Sequence, residues 1–392
     1  MKLMLIILIR LNVVIEKGLM KKQLAVFSFF TGAGFLDLGF EEAGFKTMMA
    51  NEIDPDFSRV YLYSRKVMRM ALPKFGLQTG DVCCYLKDDV KRKELAKRVR
   101  ETKKENALVG FIGGPPCPDF SIAGKQAGST GKNGRLSQVY VDLICANNPD
   151  FFVFENVKGL WKTAKHRAFF DAIVRQLQAS NYAVDYRLIN ALEYGAPQDR
   201  ERIILIGVKV KRCASHVDPV SGRITDFPWQ SFIKYKMEKV RACNWPTVDA
   251  FKENALRAMP KGIIPELTVE HWFEKNSVAD HPNSNDFFVP RAGLVKMKRI
   301  AEGDDSKKCF KRVHRWRYSP TAAYGNNEVH LHPYKARRMS VAETLAIQSL
   351  PNRFSLPSDI SLSSKFKTIG NGVPYVAALG IAKTLKKFLT EL

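Results

Sequence analysis

Residues 24–44 read LAVFSFFTGAGFLDLGFEEAG and combine a short apolar run, a glycine turn and a helical pattern. Residues 24–30 are apolar and aromatic without alternation, which is typical of a strand that is buried on both faces of a parallel sheet. Residues 31–34 predict a tight turn, and residues 36–43 predict a helix that Gly44 closes. The stretch therefore predicts the first strand–turn–helix unit of an α/β fold.

The same alternation recurs along the chain. Further strands are predicted at residues 46–51, 108–112, 151–154 and 203–208, and helices at residues 137–146 and 168–178. Strands that alternate with helices predict an open, mostly parallel sheet, whose ligands lie beyond the carboxyl ends of the strands. Four candidate residues fall at those ends: Gly32, Glu52, Gly113 and Glu155.

The composition allows two folded domains with a sizeable core. The chain has 392 residues, of which 45% are hydrophobic and 26% are charged, and these values exclude a disordered or fibrous protein. Its 62 lysines and arginines against 39 acids give a formal net charge of +23. Such an excess is typical of proteins that bind a polyanion, most often nucleic acid, although solubility alone would also account for it.

After about residue 209 the alternation is lost. Residues 291–317 carry ten basic residues against three acids. We therefore expect a first domain over residues 20–208, a second domain over residues 209–364, and a C-terminal segment over residues 365–392 that returns to the first domain and ends in a helix at residues 373–389.

The cysteines and the N-terminus indicate the cellular compartment in which the protein is expected to work. The seven cysteines form no C-x-x-C pair, which disfavours a secreted disulfide framework and a thiolate zinc site, and the seven histidines show no H-E-x-x-H pattern, so no metal is expected. Residues 3–9 are apolar, but the run is far shorter than the ~20 residues of a membrane helix. We expect a cytoplasmic protein without a membrane anchor. We also expect residues 1–19 to be a non-native or disordered extension before a working start at Met20.

The glycine turn is a candidate nucleotide site. Glycines let the backbone approach a ligand, and a helix N-terminus offers free amide donors. Glu52 lies eighteen residues after Gly34 at the end of the next predicted strand, where a carboxylate can accept the hydroxyls of an adenosine ribose. Asp81 could accept from an adenine amino group, or it could simply be a turn aspartate.

Two further motifs suggest chemistry at the same edge. Residues 113–121 read GGPPCPDFS, so two glycines and two prolines present Cys117 in a rigid loop, although a cysteine is more often a buried small hydrophobe. Glu155 follows an apolar strand, where a carboxyl group can stay partly protonated, or it could cap a helix. Arg200 and Arg202 alternate on an extended segment and are expected to share a face, unless they are a surface pair.

Together these motifs resemble those of the bacterial DNA cytosine-5 methyltransferases of restriction–modification systems, in family order and over nearly the whole chain after Met20. The matching motifs are F-x-G-x-G at residues 30–34, N-E at 51–52, G-D-V at 80–82, G-P-P-C at 114–117, E-N-V at 155–157, Q-x-R-x-R at 198–202, R-x-x-S-x-x-E at 337–343 and G-N-x-V at 370–373. One departure is Pro118, at a position where the family often has glutamine. It bears on a loop–DNA contact and not on the chemistry.

The resemblance implies a fold and a reaction. The fold would be a Rossmann-like S-adenosyl-L-methionine-dependent methyltransferase sheet over residues 20–208, with a second, smaller DNA-recognition domain over residues 209–364. Cys117 would add to carbon 6 of a flipped-out cytosine, while a protonated Glu155 holds nitrogen 3. Arg202 would hold the carbonyl oxygen at carbon 2, with Arg200 as support.

The resemblance also implies binding residues and partners. The residues implied for S-adenosyl-L-methionine are Phe30, Gly32 and Gly34 for the methionine part, Glu52 for the ribose, Asp81 with Val82 for the adenine, and Pro115, Asn371 and Val373 around the same pocket. Those implied for DNA are Ser121, Lys125, Gln126 and Arg135, in and beside a loop that closes over the DNA, and Arg315, Arg317 and Thr321 in the second domain. The expected partners are double-stranded DNA and a separate cognate restriction endonuclease, and the protein is expected to act as a monomer.

Other interpretations remain open on the sequence alone. A nicotinamide dehydrogenase would share the glycine turn, but Asp37 stands where its third glycine would be. A transfer-RNA cytosine-5 methyltransferase of the same family would not need a large basic recognition domain. A non-catalytic DNA-binding relative would be free to lose Cys117 or Glu155, and the chain retains both.

Overall fold

The computed structural model describes residues 23–105, 107–116, 134–290, 293–307, 309–321, 324 and 330–392. Several of the predicted positions lie outside these ranges. They are the extension at residues 1–19, Cys117, and the loop residues Ser121, Lys125 and Gln126.

A seven-stranded sheet forms the centre of the molecule. Its strands are β1 (Gln23–Phe29), β2 (Lys46–Glu52), β3 (Leu77–Thr79), β4 (Ala107–Gly113), β5 (Phe151–Val157), β6 (Tyr182–Asn190) and β7 (Glu201–Lys209). They lie in the order β3-β2-β1-β4-β5-β7-β6, and β7 runs antiparallel to both β5 and β6 while the other pairs are parallel. The predicted α/β class with a mostly parallel sheet is confirmed.

Helices cover both faces of this sheet. They are α1 (Phe35–Glu42), α2 (Pro55–Val67), α3 (Cys84–Lys87), α4 (Asp89–Lys104), α5 (Gly134–Asn147), α6 (Lys158–Lys162) and α7 (Ala164–Ala179). Later in the chain come α8 (Met237–Ala242), α9 (Val269–Lys275), α10 (Leu294–Lys298), α11 (Val341–Ile347), α12 (Leu362–Asn371) and α13 (Tyr375–Glu391). The predicted last helix, residues 373–389, is thus observed two residues later at both ends.

Alternate residues of each strand enter opposite cores. Val26 of β1 packs in one hydrophobic cluster with residues of α1 and α13, whereas Phe27 packs in another with residues of α4, α5 and α7. Side chains of a strand point alternately to its two faces, so burial of both sets explains why β1 is apolar without alternation. The result is three layers, with the sheet between two sets of helices.

Residues after the sheet share a core with it. A third cluster joins Phe35 of α1 and Val60 of α2 to Trp272 of α9, Leu345 of α11 and Phe354. Besides short helices, the region holds the two-stranded pair of β8 (Lys311–Arg312) and β9 (His330–Leu331). This core contains residues from both sides of position 209. The division of the chain into two domains at that position therefore stays a prediction.

Candidate active site

Asp37 fixes the turn after β1. It is fully buried and accepts hydrogen bonds from Ser28 Oγ at 2.6 Å and Thr31 Oγ1 at 2.7 Å, and burial raises the pKa of its carboxyl group. Gly32 and Gly34 have φ angles of +57° and +82°, in the left-handed region that favours glycine. The residue that replaces the third glycine of a dinucleotide motif therefore ties the strand, the turn and α1 together.

Glu52 lies beside this turn at the end of β2. Its Oε2 accepts from Gly32 N at 2.7 Å, and its Oε1 accepts from the backbone amides of Ile53 and Asp54, each at 2.9 Å. Burial raises its pKa above the ordinary 4.5 although these hydrogen bonds oppose the shift. A carboxylate has about four acceptor sites, so the three amides orient Glu52 and leave capacity for a ligand hydroxyl.

The loop that bears Asp81 is held next to Glu52. Asn51 Nδ2 donates to the carbonyls of Gln78 and Gly80 at 3.0 and 3.1 Å. Asp81 is exposed, and its Oδ1 accepts from Cys83 N at 2.9 Å, so it takes the geometry of a turn aspartate and presents its carboxylate to solvent. Val82 beside it is buried. Asn51 of the N-E motif thus fixes the loop that bears Asp81 relative to Glu52, the other acid predicted to bind the cofactor.

The residues around the turn fit S-adenosylmethionine. A Cβ built on Gly32 would meet nothing within 4 Å, which shows open space at the carboxyl edge of the sheet. Helix α1 begins after Gly34, which provides no side-chain cap, so the first backbone amides of the helix have no side-chain acceptor at this cap. Phe30 is half-buried, and its ring meets that of Tyr140 edge-on at 6.0 Å. An aromatic wall, free amides and an acid suit an adenosine with a charged amino-acid tail.

Glu155 and Arg202 form an ion pair across β5 and β7. Arg202 Nε lies 3.0 Å from Glu155 Oε1, and both side chains are largely buried. Glu155 lies inside the longer β5 and not after its end, because the strand runs on to Val157. A Cβ on Gly114 would lie 2.6 Å from Glu155 Oε2, so the backbone at Gly114 lies directly against this carboxylate.

Asn156 joins the E-N-V motif to the same loop. Its Nδ2 donates to Pro115 O at 3.4 Å, while its Oδ1 accepts from Val157 N at 2.8 Å. Pro115 is buried, and Cys117 follows two residues later, outside the described residues. The closeness of Gly114 to Glu155 and the hydrogen bond of Asn156 to Pro115 therefore place these two residues of the G-P-P-C motif next to the Glu155–Arg202 pair.

Arg200 faces the C-terminal segment. Its Nη2 donates to Gly370 O at 3.0 Å, and burial, with the neighbouring charge of Arg202, holds the pKa of Arg200 well below its ordinary value. Asn371, the predicted cofactor residue, follows at the end of α12 and is exposed, and Val373 is buried. Arg200 therefore links the predicted base site to the predicted cofactor segment.

The R-x-x-S-x-x-E motif is structural. Arg337 pairs with both carboxylate oxygens of Glu343 at 2.6 and 2.9 Å, and Ser340 and Glu343 form a reciprocal capping box at the start of α11. Helix α11 ends beside Gln348, a buried residue that was not predicted from sequence. Gln348 Nε2 donates to Ile369 O at 2.5 Å and its Oε1 accepts from Gln198 at 3.3 Å.

Four of the predicted DNA-binding residues lie in the described part of the chain. Arg135 is exposed, whereas Thr321, Arg317 and Arg315 make contacts within the protein. Arg135 is exposed on α5, and Thr321 Oγ1 donates to the carbonyl of Asp199, next to Arg200, at 2.6 Å. Arg317 is mostly buried and donates to the carbonyl of Gly303 at 3.0 Å. Arg315 is buried in a two-pronged ion pair with Glu302, so its contacts give it a structural role and not a phosphate contact.

Two negative findings apply to the described part of the chain. It contains no group of three or more His, Cys, Asp or Glu side chains placed to hold a metal ion. None of its helices has the length and the apolar character of a membrane span.

Similarity to known proteins extends over nearly the whole chain. Residues 24–387 match the family described as C-5 cytosine-specific DNA methylase. The chain is 56% identical to Type II methyltransferase M.NmeDI of Neisseria meningitidis serogroup C over 373 residues, which cover 94% of this chain and 85% of that protein. It is 28% identical to Type II methyltransferase M.FnuDI of Fusobacterium nucleatum, with 93% and 94% covered.

Solved structures agree in fold. An E. coli prophage protein described as a DNA modification methyltransferase aligns with a TM-score of 0.61 at 21% identity, and the Dnmt2 methyltransferase of S. pombe aligns with 0.58 at 13% identity. Each alignment covers 94% of this chain and 99% of the other, and at such identities it speaks for the fold alone. The family match and the 56% identical relative confirm the resemblance in the motifs, and the chain belongs to the family of C-5 cytosine-specific DNA methylases.

Proposed function

We propose that this protein methylates carbon 5 of a cytosine within a specific double-stranded DNA sequence, as the modification enzyme of a type II restriction–modification system. The observation that carries the proposal is the Glu155–Arg202 pair beneath Gly114, at the same sheet edge as the glycine turn and Glu52. The 56% identity to a type II methyltransferase supports the biological setting.

S-adenosyl-L-methionine is the proposed methyl donor, in agreement with the general chemistry of the family. Phe30, Gly32 and Gly34 would hold its methionine part, and Glu52 would accept from its ribose. Asp81 and Val82 would face the adenine, while Pro115, Asn371 and Val373 complete the pocket. When bound, the cofactor supplies an electrophilic methyl group.

The proposed chemistry belongs to the side chains around the target base. The thiolate of Cys117 forms a bond to carbon 6, which makes carbon 5 nucleophilic. Glu155 in its acid form donates to nitrogen 3, and Arg202 donates to the oxygen at carbon 2, so both stabilise the charge that develops on the ring. Loss of the carbon 5 proton to a base then breaks the carbon–sulfur bond and releases the thiolate.

The proposal also covers the residues that bind DNA and the biological setting of the enzyme. Flipping the cytosine out of the duplex costs a few kcal/mol, about what phosphate contacts can offset. Ser121, Lys125, Gln126, Arg135, Arg317 and Thr321 remain proposed DNA-binding residues. A target-recognition domain over residues 209–364, a monomer that works in the cytoplasm, and a separate cognate endonuclease complete the proposal.

Covalent trapping tests this function. A duplex that carries 5-fluorocytosine at the target should form a stable complex with the wild-type protein in the presence of S-adenosylmethionine, because fluorine cannot leave as the proton does. Cys117→Ala should form none and should lose methylation, yet it should still bind the cofactor. Cys309→Ala, at an exposed cysteine, is the matched control and should trap normally. A Cys117→Ala protein with wild-type turnover, or methylation of transfer RNA but not of duplex DNA, would overturn the proposal.

A further inference from the structure

Helix α4 carries a row of cations on the side that faces solvent. Its other side is apolar, and Leu95 and Val99 pack there in the core of the sheet. Residues three or four positions apart lie on the same side of a helix. That spacing aligns four exposed side chains, which we call the α4 stripe: Lys93, Lys97, Arg100 and Lys104.

The acids in the first half of α4 pair with cations outside the stripe. Asp89 Oδ1 lies 2.7 Å from Arg92 Nη2. Glu94 lies 2.5 Å from Arg98 Nη2 through one oxygen and 3.4 Å from Lys91 Nζ through the other. These carboxylates are therefore engaged with side chains that do not belong to the stripe.

The stripe itself is nearly free of acidic partners. Glu101 lies 3.9 Å from Lys97 Nζ, and both side chains are exposed, so this pair contributes little. Among the described residues, no carboxylate oxygen lies within 4.0 Å of the charged nitrogens of Lys93, Arg100 or Lys104. Their charges are available to an external anion.

The positive surface continues past the end of the helix. Lys103, next to Lys104, and Arg212 both pair with Asp150, which is buried. Burial, followed by the nearby charges of Lys211 and Arg212, lowers the pKa of Lys103 although Asp150 opposes the shift. Lys211 is exposed. The carboxylate of this corner thus lies in the interior, while Lys104 and Lys211 face solvent.

The dimensions of the stripe match the backbone of a DNA duplex. From Lys93 to Lys104 the helix rises about 16 Å. The phosphates of one strand follow each other every ~3.4 Å along the duplex axis, so the stripe can face about five of them. A regular row of cations suits a regular row of phosphates, whereas carboxylates on a protein surface have no fixed spacing.

The stripe leads away from the catalytic edge of the sheet. Lys104 precedes β4, and Gly114 of the candidate active site follows β4 at its other end. The seven residues of this strand span about 23 Å, which corresponds to about seven base-pair steps. DNA that contacts the Lys104 end is therefore distinct from the base pairs held at the catalytic edge.

We propose that the α4 stripe is a second DNA-binding surface, which contacts the phosphate backbone outside the recognition site and reads no sequence. Such contacts raise the affinity for any DNA and let a protein slide along it. The stripe would keep the enzyme on long DNA while the catalytic edge searches for its site. The inference rests on the proposed function, since it takes duplex DNA as the substrate.

The test compares two variants that lose the same positive charge. In the stripe variant, the four stripe residues are replaced by glutamine. The control variant loses four exposed cations from β2, α13 and the end of α2, through Lys46→Gln, Lys66→Gln, Arg69→Gln and Lys387→Gln. Both variants should keep the wild-type melting temperature, because all eight side chains are exposed. Both should also keep kcat on a short duplex that holds only the recognition site and its immediate flanks.

Salt titration of binding to long DNA without the site gives the decisive readout. Each lost phosphate contact reduces the slope of log K against log salt by about 0.9, so the stripe variant should lose about two units of slope or more and the control less than about one. On long DNA with a single site at low salt, kcat/KM of the stripe variant should fall about tenfold, while that of the control stays within about twofold of the wild type.

Equal salt slopes for the stripe variant and the control variant would overturn the second surface. If the stripe variant then bound polyglutamate less tightly than the control, the stripe would serve an acidic protein and not DNA. A wild-type protein that binds long DNA but methylates no duplex, long or short, would instead contradict the proposed function.

Discussion

The side-chain amides of Gln198 and Gln348 meet in the interior at 3.3 Å, although 150 residues separate them in the chain. Gln348 continues the contact with donations to the carbonyls of Ile369 and Gly372, which flank Asn371. A buried polar relay therefore joins the Q-x-R-x-R segment of the proposed base site to the G-N-x-V segment of the proposed cofactor pocket.

Gln348→Leu should weaken cofactor binding more than it slows the chemical step. The change removes the hydrogen bonds of Gln348 with the carbonyls of Ile369 and Gly372 and with the side-chain amide of Gln198, and each buried hydrogen bond contributes about 0.5–1.5 kcal/mol. We expect KM for S-adenosylmethionine to rise about tenfold or more, with a smaller fall in kcat. Gln230→Leu, at an exposed position, is the control and should change neither constant.

A double substitution shows whether Gln198 and Gln348 act as a coupled pair or as two independent contacts. If the amides act together, Gln198→Leu with Gln348→Leu should cost clearly less than the sum of the single effects. Additive effects on KM, or a fall in kcat alone, would show that Gln348 does not position the cofactor segment.

Gly114→Ala should damage the chemical step and spare cofactor binding. The new Cβ would lie 2.6 Å from Glu155 Oε2, so either the carboxylate or the backbone at Gly114 must move. Displacement of a reacting group by about 1 Å can cost about a hundredfold, and we expect a fall in kcat of that order. Gly293→Ala is the control, because its Cβ would meet Met297 Cε at an ordinary 3.5 Å. A Gly114→Ala enzyme with kcat within twofold of the wild type would show that the loop does not rest on Glu155.

The affinity for S-adenosylmethionine should fall on mild acidification. Burial raises the pKa of Glu52 above 4.5, so this carboxylate takes up a proton at higher pH than an exposed glutamate does. The protonated form loses acceptor sites both for a ribose hydroxyl and for the amides that orient it. The dissociation constant should therefore increase as pH drops toward the raised pKa and stay constant at higher pH. Titration calorimetry across this range tests the prediction, and Glu52→Gln should bind weakly with a flatter pH profile.

The sequence revealed most of the sheet because its central strands are marked locally. β1 and β4 are mostly apolar, and their observed ends lie within one residue of the predicted ones. β6 was not predicted, because Asp185 and Arg187 interrupt its apolar pattern. It lies at the edge of the sheet, where a strand needs fewer apolar residues. The antiparallel course of β7 was also not predicted, since direction depends on the connections and not on the strand itself.

The site was predictable where a motif carries its own chemistry. Glu52, Glu155 and Arg202 stand at strand ends or in short motifs, and the structure brings the latter two together. Gln348 carries no such signal, because its function depends on partners that are distant in sequence. Arg315 shows the opposite error, since composition counts its charge but cannot reveal that Glu302 neutralises it.

Arg315→Ala should destabilise the fold. Arg315 and Glu302 have side chains that are only 5% and 2% exposed, so removal of the arginine leaves a buried carboxylate without its main partner. Breaking such a pair from one side costs about 3–5 kcal/mol. We expect a clearly lower melting temperature, while the dependence of DNA binding on salt concentration keeps its slope at temperatures where the variant is folded. An unchanged melting temperature would contradict the structural role.

Lys307→Ala should have the opposite effect, although it lies in the same basic run. Lys307 is exposed, so its removal should leave the melting temperature unchanged. Each phosphate contact that is lost reduces the slope of log K against log salt by about 0.9. We therefore expect weaker binding to target and non-target duplexes alike, with the methylated sequence and the cofactor affinity unchanged. Salt titrations on both duplexes, with sequencing of the methylated positions, measure these quantities. A changed target sequence with an unchanged salt slope would show that Lys307 reads a base and does not contact a phosphate.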